Sequence, residues 1–273
     1  MKRFFYLLVA TLVMQSCSSL YIPAVRSIPL LEKKGEFQGE LGASTNSLYI
    51  DASYAFTDKF AASINGNVSY GIFSNRYDLF TSKNHKPPAG GYYISWPDLY
   101  GNFSHYYGEL SLGGINLAPK FPMKLEAFGG MGFGRAEDVD LYDKKNHYKS
   151  DYYHFFGQAN FGLKHRIVEA GVSLRLGFSH FIYNANYNKG FGVYTSLKHN
   201  IEVLHLEPML FVRVGGKSLK AVFRAGVNLA VSLNPNNDFA GFRGFQESKG
   251  KLDYTIFHFS VGLSYRFSGK KCR

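Results

Sequence analysis

From residue 35 onward apolar residues recur at every second position, the period of strands whose two faces meet different surroundings. Over 257–267, Phe257, Phe259, Val261, Leu263, Tyr265 and Phe267 alternate with His258, Ser260, Gly262, Ser264 and Arg266. Over 219–233, Leu219, Ala221, Phe223, Ala225, Val227, Leu229, Val231 and Leu233 alternate with a mostly polar or small set. Such runs are longer than the usual globular strand of about 5–6 residues. The pattern predicts ten strands, at 36–44, 47–56, 60–72, 102–115, 123–135, 151–164, 167–182, 200–214, 219–233 and 253–267. Two are irregular. The strand 200–214 contains Pro208, which cannot donate to a ladder, so a bulge is expected there. It also sets Val203, Met209 and Phe211 on the face that carries His205, Glu207 and Arg213. The strand 36–44 is the least apolar.

The connections sort into two kinds. Thr57 to Lys59, Asn116 to Pro122, His165-Arg166 and Gly215 to Ser218 are short, whereas those after 60–72, 123–135, 167–182 and 219–233 are long. Short turns at one end and long loops at the other describe an all-β, transmembrane, antiparallel up-and-down β-barrel with both termini on the short-turn side, the periplasmic side of an outer membrane. A soluble sandwich has no reason to sort its loops this way.

Composition agrees. Of 273 residues 17% are aromatic, which argues against disorder, and two cysteines cannot make a disulfide scaffold. The only long apolar run, Phe4 to Met14, is shorter than the roughly 20 residues a membrane helix needs. The net charge of +11 is concentrated in the tails: residues 1–34 hold Lys2, Arg3, Arg26, Lys33 and Lys34 against Glu32, and Lys270, Lys271 and Arg273 follow the last strand. A nucleic-acid partner, which calls for a basic folded face, is therefore not expected.

Residues 1–16 read as a secretory signal: a basic pair, an apolar core and a short polar step into Cys17. A cysteine in that position resembles a lipobox, in which the new N-terminal residue is acylated, and Cys17 is the expected lipidation site. Cys272 would then be a lone thiol. The chain divides into a signal peptide (1–16), a lipid-anchored periplasmic segment (17–34), the barrel (35–267) and a basic periplasmic tail (268–273). The last strand ends Gly262-x-x-Tyr265-x-Phe267, which resembles the signal recognised by the barrel-assembly machinery. Tyr21-Ile-Pro, then Pro29-Leu-Leu followed by Lys34-Gly-Glu-Phe-Gln38, with the lipobox-like Cys17 before them, resembles uncharacterised outer-membrane β-barrel lipoproteins of the Bacteroidota. The resemblance covers residues 17–70. It implies location and architecture, with outer-membrane lipid and lipopolysaccharide as surroundings, and no reaction or cofactor.

With apolar faces outward, the lumen receives Glu40, Asp51, Glu109, Glu126, Glu169 and Glu207 beside Lys124, Arg175, Arg213, Lys220, Arg224 and Arg266. A ten-stranded barrel has a backbone radius of roughly 10 Å, which long paired side chains would largely close. The alternative is a narrow pore for ions or small solutes. A third reading, a hydrolase, would draw on inward His105, His154, His205 and His258 with Ser111, Ser173 or Ser260, His105 and His154 being taken as rim residues; no motif selects among them. Gly216-Lys217-Ser218 lacks the partner glycine and the helix of a phosphate loop. Gly130, Gly132 and Gly134 share a face, making room for long neighbours, and the histidines lack metal-ligand spacing. The long loops, 74–101 and 236–252, are rich in aromatics such as Tyr92, Trp96 and Phe242, and either cover the barrel mouth or bind an extracellular ligand.

Overall fold

The computed structural model describes residues 24–44, 47–70, 101–140, 147–188, 194–233 and 257–268. Its strands are β1 (Glu36–Ser44), β2 (Leu48–Ala55), β3 (Phe60–Tyr70), β4 (Gly101–Gly114), β5 (Lys124–Asp140), β6 (His147–Lys164), β7 (Val168–Asn188), β8 (Tyr194–Gly215), β9 (Leu219–Val227), β10 (Leu229–Ser232) and β11 (Phe257–Ser268). Each pairs antiparallel with its chain neighbour from β1 to β8. β9 lies between β8 and β11, and β11 pairs with β1, so the sheet closes. β9 and β10 both lie along β8 and form one position in a ten-position wall.

Pro208 produces a gap rather than the expected bulge. The β7–β8 register runs without a slip from Val168↔Val214 through Leu174↔Pro208 to Asn188↔Tyr194. On the other side, pairing stops at Met209↔Gly226 and resumes at Leu206↔Leu229, so the neighbouring strand breaks at Asn228. Lacking an N–H, Pro208 cannot hold the ladder there, and because pairing resumes after two residues in the same register every side chain stays on its face.

Strands β5 to β8 extend further toward the long-loop end than the apolar alternation predicts, to pairs such as Gly101↔Asp140, Val139↔His147 and Asn188↔Tyr194. There the sequence turns polar on both faces, with Asp138, Asp140, Asn184 and Asn186. Backbone pairing continues there although the sequence no longer carries a hydropathy period.

The faces are those the alternation implies. Leu41, Ile64, Met131, Leu176, Leu210 and Leu263 are all more than half exposed on the outer wall. An apolar surface running round the whole circumference is what a lipid-embedded barrel presents. The inner wall buries Asp51, Asn65, Glu109, Gln158, Arg175, Glu207 and Arg224. The lumen also holds a segment of the chain itself. Residues 24–31 are buried without belonging to any strand, and hydrogen bonds tie them to inner-wall groups of six strands, β2, β3, β5, β6, β8 and β11. Reading 17–34 as a segment outside the barrel is corrected to that extent: apolar Ile28, Leu30 and Leu31 find a dry surface inside it.

Candidate functional site: the plugged lumen

Gly35, in the left-handed region at φ 77°, turns the chain from the strap, residues 24–34, into β1. From there the strap climbs away from the short-turn end. Asn116 donates to the Glu32 carbonyl, and the Lys34 amide donates to Asp58 Oδ1 at 2.8 Å. The Glu126 carboxylate, on the third residue of β5, accepts from the amides of Leu30 (3.1 Å) and Leu31 (2.7 Å), and is steadied by Asn160 at 3.2 Å. This clamp holds Leu30 at φ 49°, a conformation that a leucine adopts only when its surroundings impose it.

The strap has no ladder, so its carbonyls need other donors. Lys164 Nζ serves Leu30 at 3.1 Å, Arg266 serves Pro29 at 2.8 Å and Gln158 serves Ser27 at 2.8 Å. Arg213 donates to the Ile28 carbonyl and Asn65 to that of Val25. Ser27 Oγ lies 2.7 Å from Ser53 Oγ. Ile28 and Leu30 pack against Met209 and Phe211, while Leu31 packs with Ala55, Ala61, Ile115 and Phe128. The inward apolar residues of β8 thus face an apolar partner.

Charge pairing follows the same division. Around β1, β2 and β9, Arg224 pairs with Glu40 and approaches Asp51 at 3.7 Å, and Arg213 lies 3.6 Å from Glu40 and 3.3 Å from Glu169. Arg266 reaches Glu169 at 2.6 Å and Gln38 at 2.6 Å. Across the lumen Arg175 holds Glu109 through both oxygens, at 2.8 and 2.9 Å, and stacks over Phe156. Glu207 pairs with the strap: Arg26 approaches its carboxylate at 3.4 Å and donates to its main-chain carbonyl. Lys220 sits 3.9 Å from Glu169, and Lys124 is at the rim, 3.2 Å from Glu32. Burial works against the Glu32 carboxylate, but Lys164 and Lys124 hold its pKa below the ordinary value.

Beyond the strap an aromatic shelf narrows the lumen. Tyr152 stacks between Tyr107 and His105, shares a hydrogen bond with His105 Nε2 at 2.7 Å, and meets Phe181. These rings lie over glycines: a methyl group at Gly132 would come within 2.6 Å of Tyr107 Cζ, and one at Gly134 would strike Tyr152. Gly262 has the same use, since it and its partner Gly42 leave the space that the Tyr49 ring fills. Tyr265 and Phe267 point outward and are exposed.

The histidines His105, His154, His205 and His258 are buried inside the lumen rather than placed at a rim. His154 Nδ1 lies 2.8 Å from Ser179 Oγ, and His205 Nδ1 lies 3.3 Å from Asn228 Oδ1; Ser111, Ser173 and Ser260 are inward and buried. Among the described residues no cluster of histidine, cysteine and carboxylate groups is arranged to hold a metal ion. At the short-turn mouth a vestibule of about 660 Å³ is lined by Lys33, Lys164, Arg166, Lys217, Lys220 and Arg266 with three glutamates. Cys17, residues 1–16 read as a signal peptide, the long-loop aromatics and Cys272 lie outside the described residues.

Several site residues had no reading as such in the sequence, among them Asn65, Gln158, Asn160, Lys164, Tyr107 and Tyr152, and Arg26 was read only as part of the basic tail. The available signal was the inward Met209 and Phe211, which a water-filled or charge-filled lumen does not explain.

No protein-family model matches the chain, and no curated protein matches it. Among solved structures it is similar to the outer membrane protease OmpT of Escherichia coli, with 10% identity, a TM-score of 0.42, and coverage of 85% of this chain and 93% of that one. It is also similar to the translocator domain of the autotransporter NalP of Neisseria meningitidis, at 10% identity and TM-score 0.36 over 85% of this chain and 86% of that one. A third is a major outer membrane protein from Thermus thermophilus, at 9% identity and TM-score 0.31, over 85% of this chain and 99% of that one.

Proposed function

We propose that the chain is a non-catalytic outer-membrane β-barrel lipoprotein, anchored through Cys17 and closed by its own N-terminal strap, with a structural or surface-interaction role. The observation that carries this reading is the strap: residues 24–31 fill the lower lumen, and their carbonyls take up its inward donors. A pore needs a continuous wet path, and here the path is occupied by Ile28, Leu30 and Leu31 against Phe128, Met209 and Phe211. The acidic and basic inner-wall groups stabilise a closed interior rather than select a solute. Planar-bilayer recording tests this. The purified protein is expected to show no steady conductance, and a chain lacking residues 24–31 is expected to conduct. Steady, ion-selective conductance by the intact protein would overturn the closed reading in favour of a narrow channel.

One observation favours that channel as a second reading. The strap is held by side chains and not by strand pairing, so it can leave without opening the wall. Among the described residues the hydrolase reading has one geometric candidate, the His154–Ser179 pair, but both side chains are fully buried and out of reach of a lipid or peptide. A serine-directed probe is expected to leave the folded protein unlabelled.

A further inference from the structure

The vestibule at the short-turn mouth has more cations than its own carboxylates answer. Its glutamates are all engaged: Glu32 with Lys124 and Lys164, Glu36 with Lys164 and Arg266, and Glu169 with Arg213, Arg266 and Lys220. Lys33, Arg166 and Lys217 line the same vestibule and are exposed, and among the described residues they have no carboxylate partner. Their supports are fixed. The Gly215 amide donates to the Ile167 carbonyl at 2.9 Å, and Lys220 Nζ donates to the Arg166 carbonyl at 2.9 Å, so the turn that carries Arg166 is stitched to the one that carries Lys217. The Arg266 amide ties in β11 through the Ser218 carbonyl at 2.7 Å. Lys33 comes from the strap, where the Glu36 amide holds its carbonyl at 3.2 Å and the next amide, that of Lys34, donates to Asp58.

One side of the vestibule is apolar. Tyr265 and Phe267 line it, and both are about half exposed on the outer wall, beside Leu219, the exposed partner of Tyr265 in the ladder. Fixed positive charge and lipid-facing apolar surface therefore meet at one opening, which suits a molecule with an anionic head and an apolar tail. The volume of about 660 Å³ lies within the range of roughly 300–1,000 Å³ usual for small-molecule sites, and is too small for a folded partner.

We propose that the vestibule binds an anionic phospholipid of the adjoining leaflet, its phosphate held among Lys33, Arg166 and Lys217 and its acyl chains laid against Leu219, Tyr265 and Phe267. The Arg166 guanidinium offers a planar fork that matches two phosphate oxygens, and the two lysines add point charges. Because Lys33 belongs to the strap while Arg166 and Lys217 belong to the wall, one bound headgroup spans both. A ligand that meets all three cations only when the strap is seated favours the seated state. That consequence rests on the closure by the strap proposed above, whereas the lipid site itself does not.

The test is lipid binding to the full chain in detergent, read by native mass spectrometry with dihexanoyl phosphatidylglycerol, dihexanoyl phosphatidylcholine and inorganic phosphate as probes. The wild type is expected to retain phosphatidylglycerol in preference to the other two. Lys33→Gln, Arg166→Gln and Lys217→Gln change exposed side chains that the fold does not use, and each is expected to weaken phosphatidylglycerol binding about fivefold, or about a hundredfold together. Lys120→Gln, on an exposed turn outside the vestibule, is expected to change nothing. Equal retention of phosphatidylcholine, no retention of either lipid, or a triple variant that binds as the wild type does overturns the site. Inorganic phosphate held as tightly as the lipid overturns the lipid as its occupant. Hydrogen exchange at Leu30 and Leu31 reads the strap: slower exchange with phosphatidylglycerol bound is expected, and unchanged exchange overturns the hold on the strap. A wild type that binds the lipid and still conducts would fail the closed reading alone.

Discussion

At the scale of single residues, the lumen is governed by a few side chains that act on main-chain groups. Glu126 receives two consecutive amides and fixes Leu30 in the left-handed region, so Glu126→Ala removes the clamp while sparing the wall. We expect faster hydrogen exchange at Leu30 and Leu31 in that variant, with unchanged exchange in β5 and β6. Arg26→Ala leaves Glu207 buried without its strap partner, and a broken buried pair costs about 3–5 kcal/mol. The loss should appear in the urea midpoint in detergent. A variant as stable as the wild type would show that the strap contributes nothing to the charge balance. Gly132→Val drives a side chain into Tyr107, and overpacking of this kind costs about 1–3 kcal/mol, read in the same unfolding experiment.

At the scale of elements, facing is the property most legible in sequence. Alternation marked Leu174, Leu176 and Val172 as outward and Ser173, Arg175 and Glu169 as inward, and the structure exposes the first set and buries the second. Replacing Val172 by Arg is expected to cost about 2–4 kcal/mol of folding in lipid, because it carries a charge into the apolar band. What periodicity could not show was how far β5 to β8 extend, since the sequence at their far ends carries no apolar alternation, or that Pro208 interrupts its neighbour instead of bulging. The strap was illegible for a related reason. Residues 24–31 alternate with neither strand nor helix period, because an extended segment surrounded on all sides has no polar face to reveal. Only its complement, Met209 and Phe211 on an otherwise polar face, stood out.

The short-turn end of the strap depends on Glu32 in its ionised form, held by Lys164 at 3.5 Å and Lys124 at 3.2 Å. Its pKa is lowered on folding, so the stabilisation is present above the ordinary glutamate range and is lost as pH falls through the lower folded value. Acidification below about pH 4 should therefore loosen residues 32–34 first. Proteolysis after Lys33 or Lys34 by an acid-active protease, compared with the same chain carrying Glu32→Gln, reads this. The wild type should gain susceptibility on acidification, and the variant should be susceptible at both pH values.

For the whole molecule, the two surfaces of the wall have separate tasks. The outer face is apolar and needs only lipid, while the inner face is polar and is completed by a segment that the wall does not pair with. Closure of the lumen is thus a property of seating and not of the barrel as such. A covalent lock measures seating directly, because Ser27 Oγ and Ser53 Oγ stand 2.7 Å apart in the lower lumen. With Ser27→Cys and Ser53→Cys introduced into the chain carrying Cys17→Ser and Cys272→Ser, the disulfide-linked peptide is quantified by mass spectrometry from native outer membranes. We expect near-complete linkage, and no conductance from the linked protein in a planar bilayer. Two free thiols, both open to maleimide in the folded protein, would contradict a strap that occupies the lumen.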